Sequence, residues 1–179
     1  MSIRRATRPI AAARLTTVAR RLLDASTLCA IATVSPGGRP HVNTAYFAWS
    51  RDFVLVWLSE PRSKHSANVR SGGTAAIAVY DSSQSWGKPD RGIQLFGAAR
   101  EVAGADARAA EEIYAKRFPE YRELEPSSYR FYRFEPNRLK LFDELALRPG
   151  VFVTARVRGG RLTWERTEIY DGTTARSAV

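Results

Sequence analysis

The sequence predicts a mainly β (α+β) fold: a closed or partly open barrel of six to eight antiparallel strands with two or three flanking helices. Short runs of β-branched and aromatic residues recur along the chain, and clusters of Pro, Gly, Asn, Asp and Ser separate them. Only a few stretches carry apolar residues at helical spacing. The chain has 179 residues with 44% hydrophobic content, enough for one domain with a buried core.

Residues 1–9 include three arginines and no acidic residue. This composition predicts a disordered basic leader that is dispensable for folding. The next stretch has helical spacing and predicts an amphipathic helix beside the barrel; its apolar positions are Leu15, Val18, Leu22 and Leu23. We therefore expect a leader at 1–9, a single barrel domain at 10–170 and a flexible tail at 171–179.

The stretch from residue 27 to 80 organises the rest of the chain. An apolar run at 28–34 ends at the turn cluster 35–38, and an alternating run follows at 41–49. A third, almost wholly apolar strand is predicted at 53–58, since a strand buried on both faces has no polar alternation. A short polar helix at 62–70 leads into a strand at 75–80. This order predicts a barrel wall with an anion site at its rim.

The second half continues the pattern after a long polar loop, residues 81–90, whose tip carries Trp86. A tryptophan in such a loop is typical of an interface anchor, or it folds back on its own barrel. We predict a strand at 93–102, a helix at 105–117 that Pro119 terminates, two strands at 129–134 and 139–145 around a turn at 135–137, and a final hairpin from 151–157 and 162–169.

Composition narrows the chemistry. The net charge is +10 and only four of the 28 basic residues are lysines. Arginine prefers phosphate or carboxylate partners, which favours anionic ligands, although codon bias explains the surface charge as a whole. No apolar run reaches 18 residues, so no membrane span is expected. The one cysteine, Cys29, excludes an internal disulfide and suits the cytoplasm, where we place the protein.

No motif of a known catalytic centre is present. The sequence lacks a nucleophile elbow, a dinucleotide-binding glycine motif and a phosphate-binding loop. Two histidines and one cysteine nearly exclude a zinc site of the Cys/His type, so no metal is predicted. His41 and His65 are expected at the surface or the rim. No catalytic residue is identified, and the chemistry must come from a cofactor.

Arg62, Ser63 and Lys64 are the strongest local candidates for binding. They open the predicted helix at 62–70, where free N–H groups and the helix dipole favour an anion. A hydroxyl and an ammonium at that position complete a phosphate cradle. An ordinary helix cap with solvated charges explains the same residues, so the pattern alone leaves both interpretations open.

Five segments follow one another in a distinctive order along the chain: G-R-P-H-V (38–42), S-K-x-x-x-N (63–68), A-I-A-V (76–79), I-Q-L-F-G-A-A-R-E-V (93–102) and R-F-E-P-N-R-L-K-L-F-D (133–143). Together they resemble the pyridoxamine-phosphate-oxidase-like family of flavin-binding split barrels. The similarity extends over roughly residues 15–145. It implies a homodimeric split β-barrel that binds FMN at the subunit interface and oxidises or reduces a small molecule.

The resemblance also implies which residues touch the cofactor. Lys64 matches a lysine that contacts the flavin phosphate, while Asn43 and Ser63 stand where the oxidases of the family have arginine. The remaining positions match the strands beside the flavin or the segment contributed by the partner subunit; they are Thr44, Ala45, Leu58, Ser59, Arg62, Trp86, Arg91 and Gln94. Gly92 occupies the position where relatives supply a glutamine from the partner.

Other functions are compatible with the same residues. Related barrels use the deazaflavin coenzyme F-420, whose acidic tail would suit a basic groove, and others bind or degrade haem. A barrel that binds flavin or haem without turnover is the alternative of a different class. Nucleic acid is not expected as a partner, because the arginines are spread along the chain and not gathered with aromatic residues.

Overall fold

The computed structural model describes residues 2–123 and 128–171, with side chains for all but a few residues at the ends of these ranges. Among them are nine strands: β1 Ser2–Ala6, β2 Leu28–Val34, β3 Pro40–Trp49, β4 Leu55–Ser59, β5 Thr74–Tyr80, β6 Arg91–Glu101, β7 Arg130–Asp143, β8 Val151–Arg158 and β9 Arg161–Asp171. The helices are α1 Ala12–Asp24, α2 Lys64–Gly72, α3 Gly104–Arg117 and α4 Glu144–Leu147, and a 3-10 turn spans Pro119–Glu123.

The chain divides into two compact units. The barrel unit comprises residues 27–77 and 96–137, and the sheet unit comprises residues 1–26, 78–95 and 138–179. The strands β5, β6 and β7 pass from one unit to the other along the chain. Within the described residues, no helix has both the length and the apolar character needed to cross a membrane.

In the barrel unit the strand pairing returns to its starting point. The order is β7-β4-β3-β2-β5-β6, and β6 pairs again with β7, which closes a six-stranded antiparallel barrel. Strand β2 pairs with β3 from Leu28 opposite Tyr46 to Val34 opposite Pro40. A cluster of buried residues packs α3 against β3, β4 and β7; its members are Ala48, Val54, Val56, Val102, Ala110, Tyr114 and Phe131.

In the sheet unit the order is β1-β9-β8-β7, with β8 paired to the second half of β7. Helix α1 buries its apolar stripe as predicted, including Leu15 and Leu23, which are fully buried. Its Arg21 forms an ion pair with the buried Asp143. Asp143 also accepts hydrogen bonds from the backbone N–H groups of Leu145 and Ala146 at 3.1 and 3.0 Å, and thereby caps α4.

The predicted turn at 135–137 is wrong: β7 runs unbroken from Arg130 to Asp143. Its first half pairs with β4 and its second half with β8. Pro136 lies between the segment paired with β4 and the segment paired with β8. A Cβ at Gly97 would lie 2.1 Å from the carbonyl oxygen of Glu135, so only glycine permits β6 to approach β7 there.

The ends of the chain differ from the expectation in one respect. Residues 2–6, predicted as a disordered leader, form β1, whose residues pair with the edge of β9 from Ser2 opposite Asp171 to Ala6 opposite Thr167. An edge strand needs little burial of its own, and Ile3 is 59% exposed, so apolar patterning could not reveal it. The predicted tail lies outside the described residues after Asp171.

Candidate functional site

The first turn of α2 lies in the barrel unit and carries the predicted phosphate cradle. Ser63 is the N-cap residue with extended backbone, yet its hydroxyl makes no capping bond and donates instead to Ser66 Oγ at 2.8 Å. No acidic residue lies in this turn, and the Lys64 side chain is exposed. The N–H groups of the turn and the ammonium therefore remain available to an anion.

His65 belongs to the same turn, and its imidazole contacts two hydroxyl groups. Its Nε2 forms a hydrogen bond with Ser59 Oγ of β4 and lies 3.2 Å from Ser63 Oγ. The ring of His41 on β3 stacks parallel to it, with the centroids 6.2 Å apart. Burial, and then the neighbouring charge of His41, lower the pKa of His65 below its usual 6.5. His65 is therefore a neutral imidazole at pH 7.

Three contacts hold α2 on the barrel. Asn68 Nδ2 donates to Thr33 Oγ1 of β2 at 3.0 Å, and both groups are buried. Arg70 donates to the carbonyl oxygen of Pro61 at 2.6 Å and forms an ion pair with Glu101 at 2.9 Å. The guanidinium of Arg70 is thus engaged in fixing the segment before α2.

Arg62 is exposed, and its backbone N–H donates to Glu60 Oε2 at 2.6 Å. The carboxylate of Glu60 therefore fixes the bend that precedes Ser63. The imidazole of His65 connects Ser63 of the predicted cradle with Ser59 of β4, and Lys64 follows Ser63 directly in the chain.

The three predicted residues of β3 alternate between two faces, as a strand requires. Asn43 and Ala45 are half-buried on the face of His41, whereas Thr44 is exposed. Asn43 Oδ1 is buried and has no hydrogen-bond partner among the described residues, while its Nδ2 donates to the Thr44 carbonyl at 3.4 Å. A buried amide oxygen without a donor is unusual, and a ligand N–H would satisfy it.

The remaining predicted residues are distributed between the units. Leu58 on β4 is half-buried in the barrel unit. Trp86, Arg91 and Gln94 belong to the sheet unit, where Trp86 is 94% exposed and Gln94 is exposed on β6. The backbone of Arg91 is held by Gln84, which accepts from its N–H at 2.6 Å and donates to its carbonyl at 3.0 Å.

Sequence reasoning missed the structural roles of His65 and Asn68. The spacing S-K-x-x-x-N does carry a signal for Asn68, because a residue five positions after the N-cap returns to the buried side of the helix. No local pattern shows that His65 meets Ser59, since that contact depends on how β4 enters α2. Within the described residues, no group of three or more His, Cys, Asp or Glu is arranged to hold a metal.

Comparisons with known proteins agree with this architecture. The profile of the family described as pyridoxamine 5'-phosphate oxidase matches residues 15–143. No curated protein matches the sequence. A putative pyridoxamine 5'-phosphate oxidase from Listeria innocua has a similar structure, with a TM-score of 0.57 and 15% identity over 71% of this chain and 97% of its own. The predicted split-barrel fold is thereby confirmed, with more strands and helices than expected.

Two haem proteins share the fold. The heme binding protein from Mycobacterium smegmatis has a TM-score of 0.60 and 19% identity over 76% of this chain, which spans only 55% of that protein. The heme storage protein HutZ from Vibrio cholerae has a TM-score of 0.59 and 17% identity over 70% of this chain and 92% of its own. At these identities the similarity describes the fold and not the ligand.

Proposed function

Since the chain belongs to the pyridoxamine 5'-phosphate oxidase family, we propose that it binds FMN and uses it for redox chemistry on a small molecule. The first turn of α2 carries this proposal: an N-cap hydroxyl that caps nothing, an exposed ammonium and no acidic residue. Such a turn supplies N–H groups, a partial positive charge and one full charge to a phosphate.

The buried oxygen of Asn43 supports a flavin in particular. Flavin rings carry an N–H donor, and Asn43 Oδ1 is an acceptor without a donor among the described residues. The cofactor would supply hydride transfer; the chain would supply an acceptor from Asn43, the phosphate anchor from Ser63 and Lys64, and the walls of the pocket. The deazaflavin coenzyme F-420, which also carries a phosphate, would use the same anchor.

Lys64 would carry most of the phosphate charge. Asn43 and Ser63 replace the arginines of relatives, and Arg70 is neutralised by Glu101 at 2.9 Å. Arg62 is exposed and remains a secondary cation at the same turn. The phosphate anchor therefore carries less positive charge than that of relatives with two arginines and a lysine, and it depends mainly on the flexible side chain of Lys64.

A homodimer is part of the proposal. One face of β2 and β3 in the barrel unit exposes large apolar side chains, among them Val34, Val42 and Tyr46, which are 54%, 63% and 56% exposed. Exposed large apolar side chains that share one face of a sheet are typical of protein interfaces. A second copy of the chain would bury it, and the shared cofactor site of relatives gives the reason for the pairing.

Haem binding is the second candidate. Two half-buried imidazoles, His41 and His65, stack at 6.2 Å on the rim of the barrel unit, and either could ligate an iron. Against it, Nε2 of His65 already binds Ser59 and lies near Ser63.

The absorbance spectrum of the freshly purified protein separates these cofactors, because flavin, deazaflavin and haem absorb differently. We expect flavin bands, or their appearance after reconstitution with FMN, together with a dimer in sedimentation equilibrium. Val42→Lys should dissociate the dimer, because it places a charge in the apolar face. A monomeric wild type that binds haem and not FMN would refute the proposal.

A further inference from the structure

The sheet unit contains a partly open cavity of about 260 Å³, and Arg91 is the one lining residue that was also predicted to touch the cofactor. Three aromatic side chains line it, and the charged groups at its edge are a guanidinium and two carboxylates; these six residues are Tyr80, Phe142, Phe152, Asp90, Arg91 and Glu144. Ligand sites commonly combine apolar walls with a few polar groups. The volume is small for such a site and suits a ligand of one or two rings.

The aromatic wall is held in place by the sheet. Phe142 on β7 lies directly opposite Phe152 on β8, with ring centroids 5.8 Å apart, and Tyr170 packs edge-on to Phe152 at 4.9 Å. A Cβ at Gly92 would lie 2.3 Å from Cζ of Phe142. The ring of Phe142 therefore occupies its position only because residue 92 has no side chain.

The polar edge is also fixed. The backbone N–H of Glu144 donates to the carbonyl oxygen of Asp90 at 3.0 Å, and the N–H of Asp90 donates to Glu144 Oε2 at 3.1 Å. Gln84 holds the backbone of Arg91 with both atoms of its side-chain amide: Nε2 donates to the Arg91 carbonyl and Oε1 accepts from the Arg91 N–H. The end of the 81–90 loop and the start of α4 thus form one connected frame.

The charge balance at the cavity favours a ligand with hydrogen-bond donors. Hydrogen bonds from Ser83, and then the nearby charge of Arg91, lower the pKa of Asp81. The carboxylate of Asp81 therefore compensates part of the Arg91 charge. Neither Asp90 nor Glu144 has an ion-pair partner among the described residues. Two carboxylates with spare acceptor capacity therefore face one partly compensated cation.

We propose that this cavity binds an aromatic nitrogen heterocycle of one or two rings that carries exocyclic N–H donors, of the nucleobase type. The ring stacks on Phe142 and Phe152, the carboxylates of Asp90 and Glu144 accept from its amino group, and Arg91 donates to a ring nitrogen or carbonyl. Stacking on aromatic side chains with hydrogen bonds to the ring edge is a general mode of recognising such heterocycles. The site lies wholly within the sheet unit and does not depend on the flavin proposal.

The probe is 2-aminopurine riboside, whose fluorescence is quenched by stacking. We expect saturable quenching with the wild type, and adenosine should displace the probe at least about tenfold better than purine riboside, which lacks the amino group. Gly92→Ala should abolish binding, because its Cβ displaces the ring of Phe142. Gly37→Ala is the matched control, since a Cβ at Gly37 meets no atom within 4 Å.

Glu144→Gln and Asp90→Asn keep the shape of the site if Gly92→Ala fails to fold. Each should weaken the probe by about tenfold, because a charged acceptor is replaced by a neutral amide. Failure of the wild type to bind the probe, or an affinity in both amide variants equal to that of the wild type, would overturn the proposal. If the amide variants also lost FMN binding, the cavity would not be a separate site and the proposal would be overturned. If FMN binding is lost in Lys64→Ala and kept in the amide variants, the proposal stands.

Discussion

Asn68 Nδ2 on α2 donates a hydrogen bond to Thr33 Oγ1 on β2 over 3.0 Å, and both side chains are buried. This bond joins a helix that carries the candidate anion site to a strand of the barrel. Because α2 has only nine residues, its position depends on tertiary contacts more than on its own helical stability. The geometry of the Ser63–Lys64 turn is therefore coupled to a residue four positions away from it.

Replacing Asn68 with alanine should lower the free energy of unfolding by about 1–3 kcal/mol, because the buried Thr33 hydroxyl loses its donor. Asn137→Ala is the matched control: Asn137 is exposed on β7, and its loss should cost less than about 0.5 kcal/mol. Urea denaturation measures both. Equal stability of the two variants would show that the Asn68–Thr33 bond contributes nothing to the fold.

His65 should titrate below its usual pKa of 6.5, because burial and the charge of His41 both disfavour the imidazolium. A lowered folded pKa means that its contribution to stability is present above pH 6.5 and is lost as the pH falls through the folded pKa. Inorganic phosphate at the α2 turn should raise that pKa, since an anion favours the imidazolium. By linkage, phosphate should then bind more tightly as the pH falls through it.

Nuclear magnetic resonance of the imidazole protons measures this directly. The chain has only two histidines, so His41→Gln leaves the signal of His65 alone. A pKa of His65 at or above 6.5 without phosphate would contradict the burial argument. A pKa that phosphate leaves unchanged would place the anion elsewhere.

The sequence predicted those strands and helices whose apolar residues repeat regularly within the element itself. The bounds of β2 are the predicted residues 28–34, and α3 begins one residue before the predicted range and ends where predicted. These segments alternate or repeat at helical spacing because each buries one face against the core. The unbroken β7 was not predictable in this way. Pro136 locally indicates a turn, whereas in the structure it lies where β7 exchanges its partner β4 for β8.

The candidate site was predictable in part for the same reason. Ser63 and Lys64 lie next to each other in sequence, so their cradle appears as a motif. The cavity of the sheet unit combines Tyr80, Phe142 and Phe152 from three strands. Such a set depends on sheet register, which no single stretch of the sequence specifies.

Deleting residues 1–7 should change the free energy of unfolding by less than about 1 kcal/mol, although it removes β1. The strand is exposed, and the net gain of its backbone hydrogen bonds, about 0.5–1.5 kcal/mol each, is offset by the entropy of ordering about 1–2 kcal/mol per residue. Leu15→Ala provides the contrast. Leu15 is fully buried on α1, so its truncation should cost about 2–5 kcal/mol.

Thermal and urea unfolding of both proteins test the role of the leader. A deletion that costs as much as Leu15→Ala would show that β1 is an integral part of the sheet unit. A deletion without effect would show that the edge of β9 does not need its partner.

Lys64→Ala should weaken FMN binding by at least about tenfold while leaving the melting temperature of the unliganded protein nearly unchanged. Lys64 is exposed at a helix start where the dipole already favours an anion, so its removal deletes a phosphate contact and no packing. A charge-assisted hydrogen bond contributes about 1.5–3 kcal/mol, which corresponds to roughly ten- to hundredfold in affinity. Lys116→Ala, at an exposed position on α3, is the control for general loss of charge. Titration of FMN by flavin fluorescence into all three proteins decides the matter, because equal affinities would assign the phosphate to another part of the molecule.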